Sequence, residues 1–341
     1  MQKKSILIIV VLLAALGLWY FLRDTSSGTS DKNKTEFNVE NIEEIDKVFL
    51  SNKVEGNLLL EKKNGTWFVN NKYEVFKPSM EFFLNETIKK IRVRGPVPLP
   101  ARANVIASMA STATKVEIYT NNELHKVYYV GQPTNDMTGT YMYIQGSKDP
   151  YITHIPGFEG FLTSRYPIAE REWMNKVIFD FKPQEIQMVD VEYPDDINAC
   201  FTISRKEKEG DFDITAAETA PSGNLNYAGV KSYFTLFGFK YCEGFESFPQ
   251  QKTDSILKSK PYCIVSVTDK KGNITRMRVY RRPAGEKDHG LYDKDGKRLV
   301  FDASRYFAVL NDEKRILVIQ EEAFGPILIQ YSDFILKKSL D

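Results

Sequence analysis

One pattern of strands, turns and helices occurs twice in this chain, with matched elements about 140 to 150 residues apart. Each copy opens with a run in which apolar and polar residues alternate, 44–51 in the first and 185–192 in the second, as in half-buried strands. Two strands around a glycine-containing turn follow in each copy: 57–61 and 66–70, then 199–204 and 212–215. The duplication restricts the fold strongly, because both halves must satisfy one arrangement.

Each copy continues with helices and a β-hairpin. Apolar residues spaced by three and four predict a helix in both copies: Met80, Phe83, Leu84, Ile88 and Ile91, then Val230, Tyr233, Phe234 and Phe237. A short second helix is predicted around Val105 and Ile106, and again around Ile256 and Leu257. The predicted hairpins are 115–120 with 124–130, and 262–268 with 274–281. Their turns contain Asn and Gly, which favour tight connections between strands.

The last elements of each copy are less regular. In the first copy, strands at 141–144 and 151–154 are predicted to precede a helix with Phe158, Phe161 and Leu162. In the second, strands at 290–292 and 298–301 are predicted to precede a helix with Tyr306, Phe307 and Leu310. Two β-rich runs, 315–320 and 325–331, have no counterpart. We expect them to close a sheet edge, and a partner-binding strand is the alternative.

These elements predict an α+β protein in which an N-terminal transmembrane helix precedes two tandem repeats of a mostly antiparallel sheet with packed helices. Repeats of roughly 140 residues are large enough to hold a core of their own. The predicted segments are a short cytoplasmic tail and transmembrane anchor at 1–23, a flexible linker at 24–36, the first repeat at 37–170, the second at 171–310 and a C-terminal β extension at 311–341.

An apolar run near the N-terminus predicts a membrane anchor. Residues 5–22 (SILIIVVLLAALGLWYFL) carry no charge, and about 18 residues is near the lower limit for a helix that crosses a bilayer. A cleaved signal peptide is the alternative, but the run ends in bulky residues where cleavage requires small ones. Because Lys3 and Lys4 precede the run, we expect the long C-terminal part to lie outside the cytoplasm.

Composition excludes several classes of protein. The 46 Lys and Arg residues nearly balance the 45 Asp and Glu residues, so the basic field of a nucleic-acid binder is missing. Three cysteines are too few for a disulfide-rich scaffold or a four-thiolate zinc site. We expect no nucleic-acid partner.

Two sequence motifs resemble those of a known family. The motif NGTWFV at 64–69 and the junction TSRYPIAEREWMNKVIFDFKPQEIQMVDV, which begins at Thr163, resemble the bacterial envelope family classified as domain of unknown function 4340. The resemblance covers most of residues 37–310. It implies a single-pass protein of the bacterial inner membrane, with its C-terminal part in the periplasm, often encoded beside ABC transporter components of the gliding-motility type. The family has no established catalytic residues, so the resemblance implies none here.

Candidate catalytic residues are few. The chain contains no phosphate-binding glycine loop, no H-E-x-x-H and no G-x-S-x-G. His125 and His154 fall in predicted strands, where a structural histidine is commoner than a ligand or base. His289 precedes a loop, 293–296, that resembles a truncated calcium site, although a simple turn explains it better. We therefore expect no catalytic, cofactor-binding or metal-binding residue and no cofactor.

The cysteines, tyrosines and one basic run leave alternatives open. Cys200, Cys242 and Cys263 are expected to be buried apolar side chains, with a disulfide between Cys242 and Cys263 as the alternative. Tyr141 and Tyr143 share a strand face, which fits cross-strand packing or a sugar-binding platform. The basic run 89–94 is expected to end a helix at Gly95-Pro96, and lipid headgroup binding is the alternative.

Three functional hypotheses follow. The first is a non-enzymatic, membrane-anchored extracytoplasmic accessory or scaffold protein that contacts the membrane through residues 5–22 and binds protein partners in an ABC transporter or envelope complex. The second is a solute- or glycan-binding protein that uses the cleft between the two repeats. The third is an envelope hydrolase, for which the clustered carboxylates are Asp195, Asp196, Asp211 and Asp213.

Overall fold

The computed structural model of the protein describes residues 36–206, 211–285, 292 and 295–336. The predicted membrane anchor at 5–22 and nearly all of the predicted linker at 24–36 lie outside these residues. Within the described residues, no helix has the length and apolarity that a membrane crossing requires. The chain divides between Trp173 and Met174 into two compact units.

The first unit contains a nine-stranded sheet in which neighbouring strands are antiparallel. The strands are β1 Ile45–Asn52, β2 Gly56–Lys63, β3 Thr66–Val69, β4 Tyr73–Glu74, β5 Arg92–Pro96, β6 Thr114–Thr120, β7 Glu123–Pro133, β8 Thr140–Ile144 and β9 Tyr151–His154. Their order across the sheet is β4-β3-β2-β1-β6-β7-β8-β9-β5. Asn121 and Asn122 have positive φ in the β6–β7 turn, a conformation that Asn tolerates better than most residues.

One face of this sheet packs against a helix and buries the core of the first unit. Helix α1, Lys77–Phe82, continues as a π-helix, Phe83–Ile88. Phe83 makes edge-to-face contacts with Tyr166 and Trp173, and Tyr166 packs in the same way on Tyr128 of the sheet. The hydroxyls of Tyr128 and Tyr166 are 3.1 Å apart and share a hydrogen bond, which satisfies two buried polar groups. We refer to this sheet face as the inner face and to the opposite one as the outer face.

Two sequence predictions for the first unit are wrong. Residues 158–162 form no helix, because Gly157 and Gly160 adopt positive φ; only a 3-10 turn follows, at Thr163–Arg165. The basic run does not end a helix at Gly95-Pro96, because the helix ends at Ile88 and Arg92–Pro96 is the edge strand β5, paired with β9.

The second unit contains an eight-stranded antiparallel sheet and a separate two-stranded one. Its strands are β10 Val177–Phe179, β11 Ile186–Glu192, β12 Phe201–Arg205, β13 Phe212–Ala216, β14 Lys240–Tyr241, β15 Gly244–Phe245, β16 Cys263–Asp269, β17 Ile274–Pro283, β18 Phe301–Leu310 and β19 Leu317–Gln320. The large sheet has the order β13-β12-β11-β16-β17-β18-β19-β15, and β10 pairs with β14. These sheets and the few helices confirm the α+β prediction in its coarse form.

The remaining helices are short. Beyond α1, the α-helices are α2 Leu99–Thr112, α3 Tyr227–Tyr233, α4 Gln250–Lys258 and α5 Glu321–Phe324. Single 3-10 turns are Ile42–Glu44, Glu170–Glu172, Pro183–Glu185, Ile197–Ala199, Phe234–Phe237 and Tyr331–Phe334. In the second unit, Tyr233 of α3 packs edge-to-face on Phe201 and Phe334 in the main core. The face of the second sheet that contributes to this core is its inner face. Helix α4 contacts the opposite, outer face through Ile256 and Leu257.

The large sheets of the two units share their strand order: β3-β2-β1-β6-β7-β8-β9-β5 corresponds to β13-β12-β11-β16-β17-β18-β19-β15. Both also carry a register shift near the start of the first strand, between Ile45 and Lys47 and between Ile186 and Met188. The shared register therefore gives a residue-by-residue correspondence between the two sheets.

The helix predicted at the end of the second copy is wrong. Residues 306–310 belong to β18, because Phe307 and Val309 face the outer side while Ala308 faces the inner core. The run 315–320 contains β19, which pairs with β18 and β15 inside the sheet, whereas 325–331 forms no strand. The predicted β extension at 311–341 is thus one strand, helix α5 and a 3-10 turn within the described residues.

Candidate functional site: a groove beside helix α2

Helix α2 lies on the outer face of the first sheet and is attached at both ends. Near its start, Arg102 donates through Nε to the Val97 carbonyl at 3.0 Å and forms an ion pair with Asp149. At its end, Asn52 Nδ2 donates to the Thr112 carbonyl at 3.1 Å. The bond from Asn52 satisfies a carbonyl that the helix end leaves unpaired, and the contacts of Arg102 hold the start of the helix against neighbouring loops.

Gly131 allows the middle of α2 to approach the sheet. A Cβ atom at this β7 position would lie 2.8 Å from the Tyr141 carbonyl oxygen and 2.9 Å from Met109 Cγ. Both distances are too short for a real Cβ contact. A side chain at position 131 would therefore separate α2 from β7 and β8.

A groove of about 600 Å³ opens between the C-terminal half of α2 and the sheet. Ser51, Lys115, Tyr129 and Tyr143 contribute from β1, β6, β7 and β8. The other lining residues come from α2 and from neighbouring loops: Lys53, Ile106, Met109, Ala110, Ala113, Gln145, Lys148 and Pro150. The volume is within the usual range of ligand pockets, roughly 300 to 1,000 Å³.

Two tyrosines form the aromatic part of this groove. Tyr129 and Tyr143 are directly opposite each other on β7 and β8, with ring centroids 6.1 Å apart and an interplanar angle of 45°. Tyr143 Oη donates to the Ser147 carbonyl at 3.1 Å, which fixes the orientation of this ring. A tilted aromatic pair of this kind offers an apolar surface with little conformational freedom to lose on binding.

Three lysines and no carboxylate are among the described residues that line the groove. Lys53 Nζ donates to the Ala110 carbonyl at 2.6 Å, and Lys115 Nζ is 2.6 Å from Glu117 Oε1. The hydrogen bond that Lys115 donates to Glu117 raises the pKa of Lys115, so this lysine stays protonated at neutral pH. Lys148 is exposed. Because an ammonium group has three donors, Lys53 and Lys115 keep hydrogen-bonding capacity beyond these contacts.

The surface of α2 beside the groove is apolar and exposed. Leu99 and Ile106 have 75% and 52% of their surface exposed, and Ala103 and Ala110 are exposed on the same helix face. Arg102 is the one charged residue in the sequence of this helix. Exposed faces of surface helices are normally charged or polar. The groove and this helix face together form one apolar surface, which we name the α2 surface.

The outer face of the second sheet carries different side chains at three matched positions. By sheet register, Tyr280 corresponds to Gly131, Phe307 to Tyr141 and Val309 to Tyr143. These three residues of the second unit are buried in an apolar cluster, against which Ile256 and Leu257 of α4 pack. The two outer faces therefore differ at these three positions, although the sheets share one strand order.

The α2 surface was only partly predictable. The sequence singled out Tyr141 and Tyr143 as a platform, whereas the groove pairs Tyr143 with Tyr129 of the neighbouring strand. Tyr128 and Tyr129 are neighbours on β7 and point to opposite faces, so that Tyr128 is fully buried while Tyr129 lines the groove. The signal that the sequence did contain is the nearly uncharged helix LPARANVIASMAST.

The described histidines and clustered carboxylates do not form a shared site. The pKa values of His125 and His154 are lowered, mainly by burial. Asp195 pairs with Lys260, Asp213 lies 3.6 Å from Lys206, and Asp196 accepts from the Asn198 amide. Within the described residues, no group of three or more His, Cys, Asp or Glu side chains is placed to hold a metal ion. His289 and Asp293 lie outside the described residues.

The three cysteines are free thiols, so the alternative disulfide between Cys242 and Cys263 is not formed. Burial raises the pKa of Cys242 to about 11 and that of Cys263 to about 12. Cys200 accepts a hydrogen bond from the Tyr193 amide at 3.1 Å. A nucleophilic cysteine requires a lowered pKa, so Cys242 and Cys263 are suited to packing instead.

A second pocket of the first unit, about 510 Å³, lies beside Trp67 and α1. Its lining mixes Glu43, Glu74 and Glu81 with Lys62 and Lys77. Lys77 and Glu81 are 3.7 Å apart, so opposite charges partly neutralise each other there. This pocket has no consistent charge preference.

No family model, curated protein or solved structure matches this chain. The resemblance to the envelope family therefore stays a prediction from the sequence. The α2 surface combines apolar walls, an aromatic pair and ammonium groups, and the residues that line its groove include no acid or base suited to proton transfer at neutral pH. Its chemistry suits binding.

Proposed function

We propose that this protein is a non-enzymatic, membrane-anchored extracytoplasmic accessory or scaffold protein that binds a protein partner through the α2 surface. In this proposal, residues 5–22 anchor the chain, and the two units are tandem repeats of one ancestral unit. The setting expected from the sequence resemblance is an ABC transporter or envelope complex of the bacterial inner membrane.

The observation that carries the proposal is the open α2 surface of the first unit. Apolar side chains that remain exposed beside a well-formed groove are typical of surfaces that another molecule covers. The shared strand order and the shared register shift support descent from one duplicated unit. After a duplication, one copy is free to keep its outer face closed while the other becomes a binding surface.

Site-specific photocrosslinking in the native membrane tests the binding role. A benzophenone amino acid replaces Ile106 on the α2 surface or, as a matched control, Ile274 in the second unit; these side chains are 52% and 54% exposed. After irradiation, we expect a discrete protein adduct from position 106 and none from position 274. An absence of any adduct specific to position 106 contradicts the proposal.

Membrane extraction tests the anchor independently. The full-length chain is expected to stay in the pellet after alkaline carbonate treatment, because a hydrophobic span of about 18 residues crosses the bilayer. A variant without residues 5–22 is expected in the supernatant. Release of the full-length chain contradicts the membrane-anchor part of the proposal and leaves the α2 surface untouched.

A further inference from the structure

We infer that the occupant of the α2 surface is an amphipathic helix of a protein partner, with acidic residues beside its apolar stripe. This inference rests on the proposed function and adds the chemistry of the partner. It follows from three properties of the surface: where its sheet residues lie, how its charges are distributed and how far its apolar part extends.

The sheet residues of the groove exclude an added strand. Ser51, Lys115, Tyr129 and Tyr143 belong to β1, β6, β7 and β8, and each of these strands pairs with a neighbour on both sides. Their backbone groups are already used, so a guest segment cannot extend the sheet there. A guest on this apolar face must satisfy its own backbone hydrogen bonds, and a helix does so.

The apolar part of the surface has the length of a helix contact. Leu99, Ala103, Ile106 and Ala110 follow one face of α2, and the rise from residue 99 to residue 110 corresponds to roughly 16 Å at 1.5 Å per residue. Ala103 and Ala110 have small side chains, which permit a partner helix to approach closely. Ile106 and Met109 then lead from this face into the groove with its tyrosine pair.

The charges of the groove select an acidic partner. Lys53, Lys115 and Lys148 line it, and no Asp or Glu is among the described residues of its lining. Glutamate or aspartate beside the apolar stripe of a guest helix would form charge-assisted hydrogen bonds with these ammonium groups. A second copy of α2 is a poor occupant, because residues 99–112 contain no acidic residue and would offer no counter-charge to Lys53 and Lys148.

Binding of synthetic helices to the purified full-length chain tests this inference. The probe is a fluorescein-labelled 18-residue helix with a leucine stripe flanked by glutamates, and the matched control replaces every glutamate by lysine. Fluorescence anisotropy at low ionic strength gives both Kd values. We expect the glutamate helix to bind at least about tenfold tighter, and the preference to shrink in 0.5 M salt, because exposed charges are screened.

Two variants assign this preference to the α2 surface. Ile106→Glu is expected to weaken the glutamate helix by about tenfold or more, whereas Ile274→Glu, a control of equal exposure, is expected to change Kd less than about twofold. Lys148→Glu is expected to weaken the glutamate helix by roughly threefold to fivefold and to tighten the lysine helix, a reversal that misfolding cannot produce.

Several results overturn the inference. Equal Kd values for the two helices would contradict the preference for an acidic partner. An unchanged Kd in Ile106→Glu would mean that the helix binds elsewhere. Stronger binding of oleate micelles than of either helix, lost in Ile106→Glu, assigns the surface to an anionic lipid. A photocrosslinked adduct between position 106 and a second copy of the chain assigns the α2 surface to self-association. If neither helix binds but position 106 crosslinks to a partner, the proposed function stands and the acidic helix is wrong.

Discussion

In the second unit, Tyr280, Phe307 and Val309 are buried in an apolar cluster beneath α4, whereas the matched positions of the first unit are Gly131, Tyr141 and Tyr143, and a groove opens beside α2. The two sheets share strand order and register. The side chains at these positions therefore distinguish the two outer faces.

The first unit also gains less stabilisation from apolar burial at these positions. Complete burial of one large apolar side chain contributes about 1.5 to 3 kcal/mol, and the second unit gains this from several side chains where the first unit has Gly131 and half-buried tyrosines. A binding partner would supply the missing burial. The units should therefore respond differently to equivalent substitutions, and the following variants test this difference.

The largest expected difference comes from aromatic truncation. Phe307→Ala removes a buried ring that packs edge-to-face on Phe248 at 5.5 Å, so we expect a loss of about 3 to 4 kcal/mol in the free energy of unfolding. Tyr143→Ala, in the open groove, should cost about 1 kcal/mol or less. Differential scanning calorimetry of the full-length chain measures both. Equal losses would mean that the two outer faces do not differ energetically.

The next difference concerns two ion pairs. The side chain of Asp302 in the second unit is 0% exposed and pairs with Arg282, whereas Asp149 in the first is 24% exposed and pairs with Arg102. Asp302→Ala removes a buried carboxylate that accepts hydrogen bonds from Arg282 and Ser304, so it should cost about 3 kcal/mol. Asp149→Ala should cost about 1 kcal/mol and should also weaken binding at the α2 surface, because it removes one of the two contacts through which Arg102 holds the start of α2. Urea unfolding combined with the helix-binding assay separates these effects.

Asp302 also predicts a pH dependence. Burial opposes its charge, but hydrogen bonds from Ser304 and Arg282 prevail and lower its pKa. A lowered pKa in the folded state means that the stabilisation is complete above the unfolded value, about 3.9, and is lost as the pH falls through the folded value. The difference in stability between the wild type and Asp302→Ala should therefore decrease below about pH 4. A difference that is constant down to pH 2 would contradict this assignment.

A smaller effect is expected from one methyl group at the α2 contact. Gly131→Ala forces the new Cβ against the Tyr141 carbonyl and Met109, so we expect a loss of about 1 to 2 kcal/mol and weaker helix binding. The control is Gly95→Ala on edge strand β5, where no atom lies within 4 Å of the added Cβ. That variant should change stability by less than about 0.5 kcal/mol. Equal effects of the two variants would refute the close approach of α2.

The smallest effect is expected from His154, on β9 of the first unit. Burial and the charge of Arg94 lower its pKa, and no hydrogen-bond partner for its buried Nδ1 is present among the described residues. Because only the unfolded state takes up the proton near pH 6.5, stability should fall as the pH decreases through that value. His154→Gln should flatten this slope, whereas His125→Gln, at a more exposed position, should flatten it less. Identical slopes in the wild type and His154→Gln would contradict the role of His154.

The fold was predictable wherever local signals agreed with tertiary pairing. Alternating apolar residues and the Asn121-Asn122 turn gave the correct β6–β7 hairpin, since both asparagines adopt positive φ. The spacing of Tyr306, Phe307 and Leu310 imitates a helix, but pairing with β17 and β19 places them in a strand. Strand β18 presents apolar residues to both sheet faces and therefore lacks a simple alternation of apolar and polar residues. The sequence pattern wrongly predicts a helix there for this reason.

The candidate site was less predictable, because it depends on residues that are distant in sequence. Tyr129 and Tyr143 meet only through strand register, and Gly131 acquires its role only when Met109 lies above it. Net charge does not indicate the site either, because the chain as a whole is nearly neutral although three lysines line one groove. The charge content of the helices does point to the site, because α2 has one charge in 14 residues, whereas α4 carries Lys252, Asp254 and Lys258.

The position of β19 inside the second sheet has a consequence for the order of synthesis. The strands of the first sheet are complete once His154 has been made, whereas the second sheet needs β19, which starts at Leu317. At roughly 5 to 20 residues per second, these events are separated by about 10 to 30 s. The first sheet can therefore form on the nascent chain. Until β19 has been made, β18 has an unpaired edge and β15 has no partner strand. Early folding of the first unit and late folding of the second is the expected sequence.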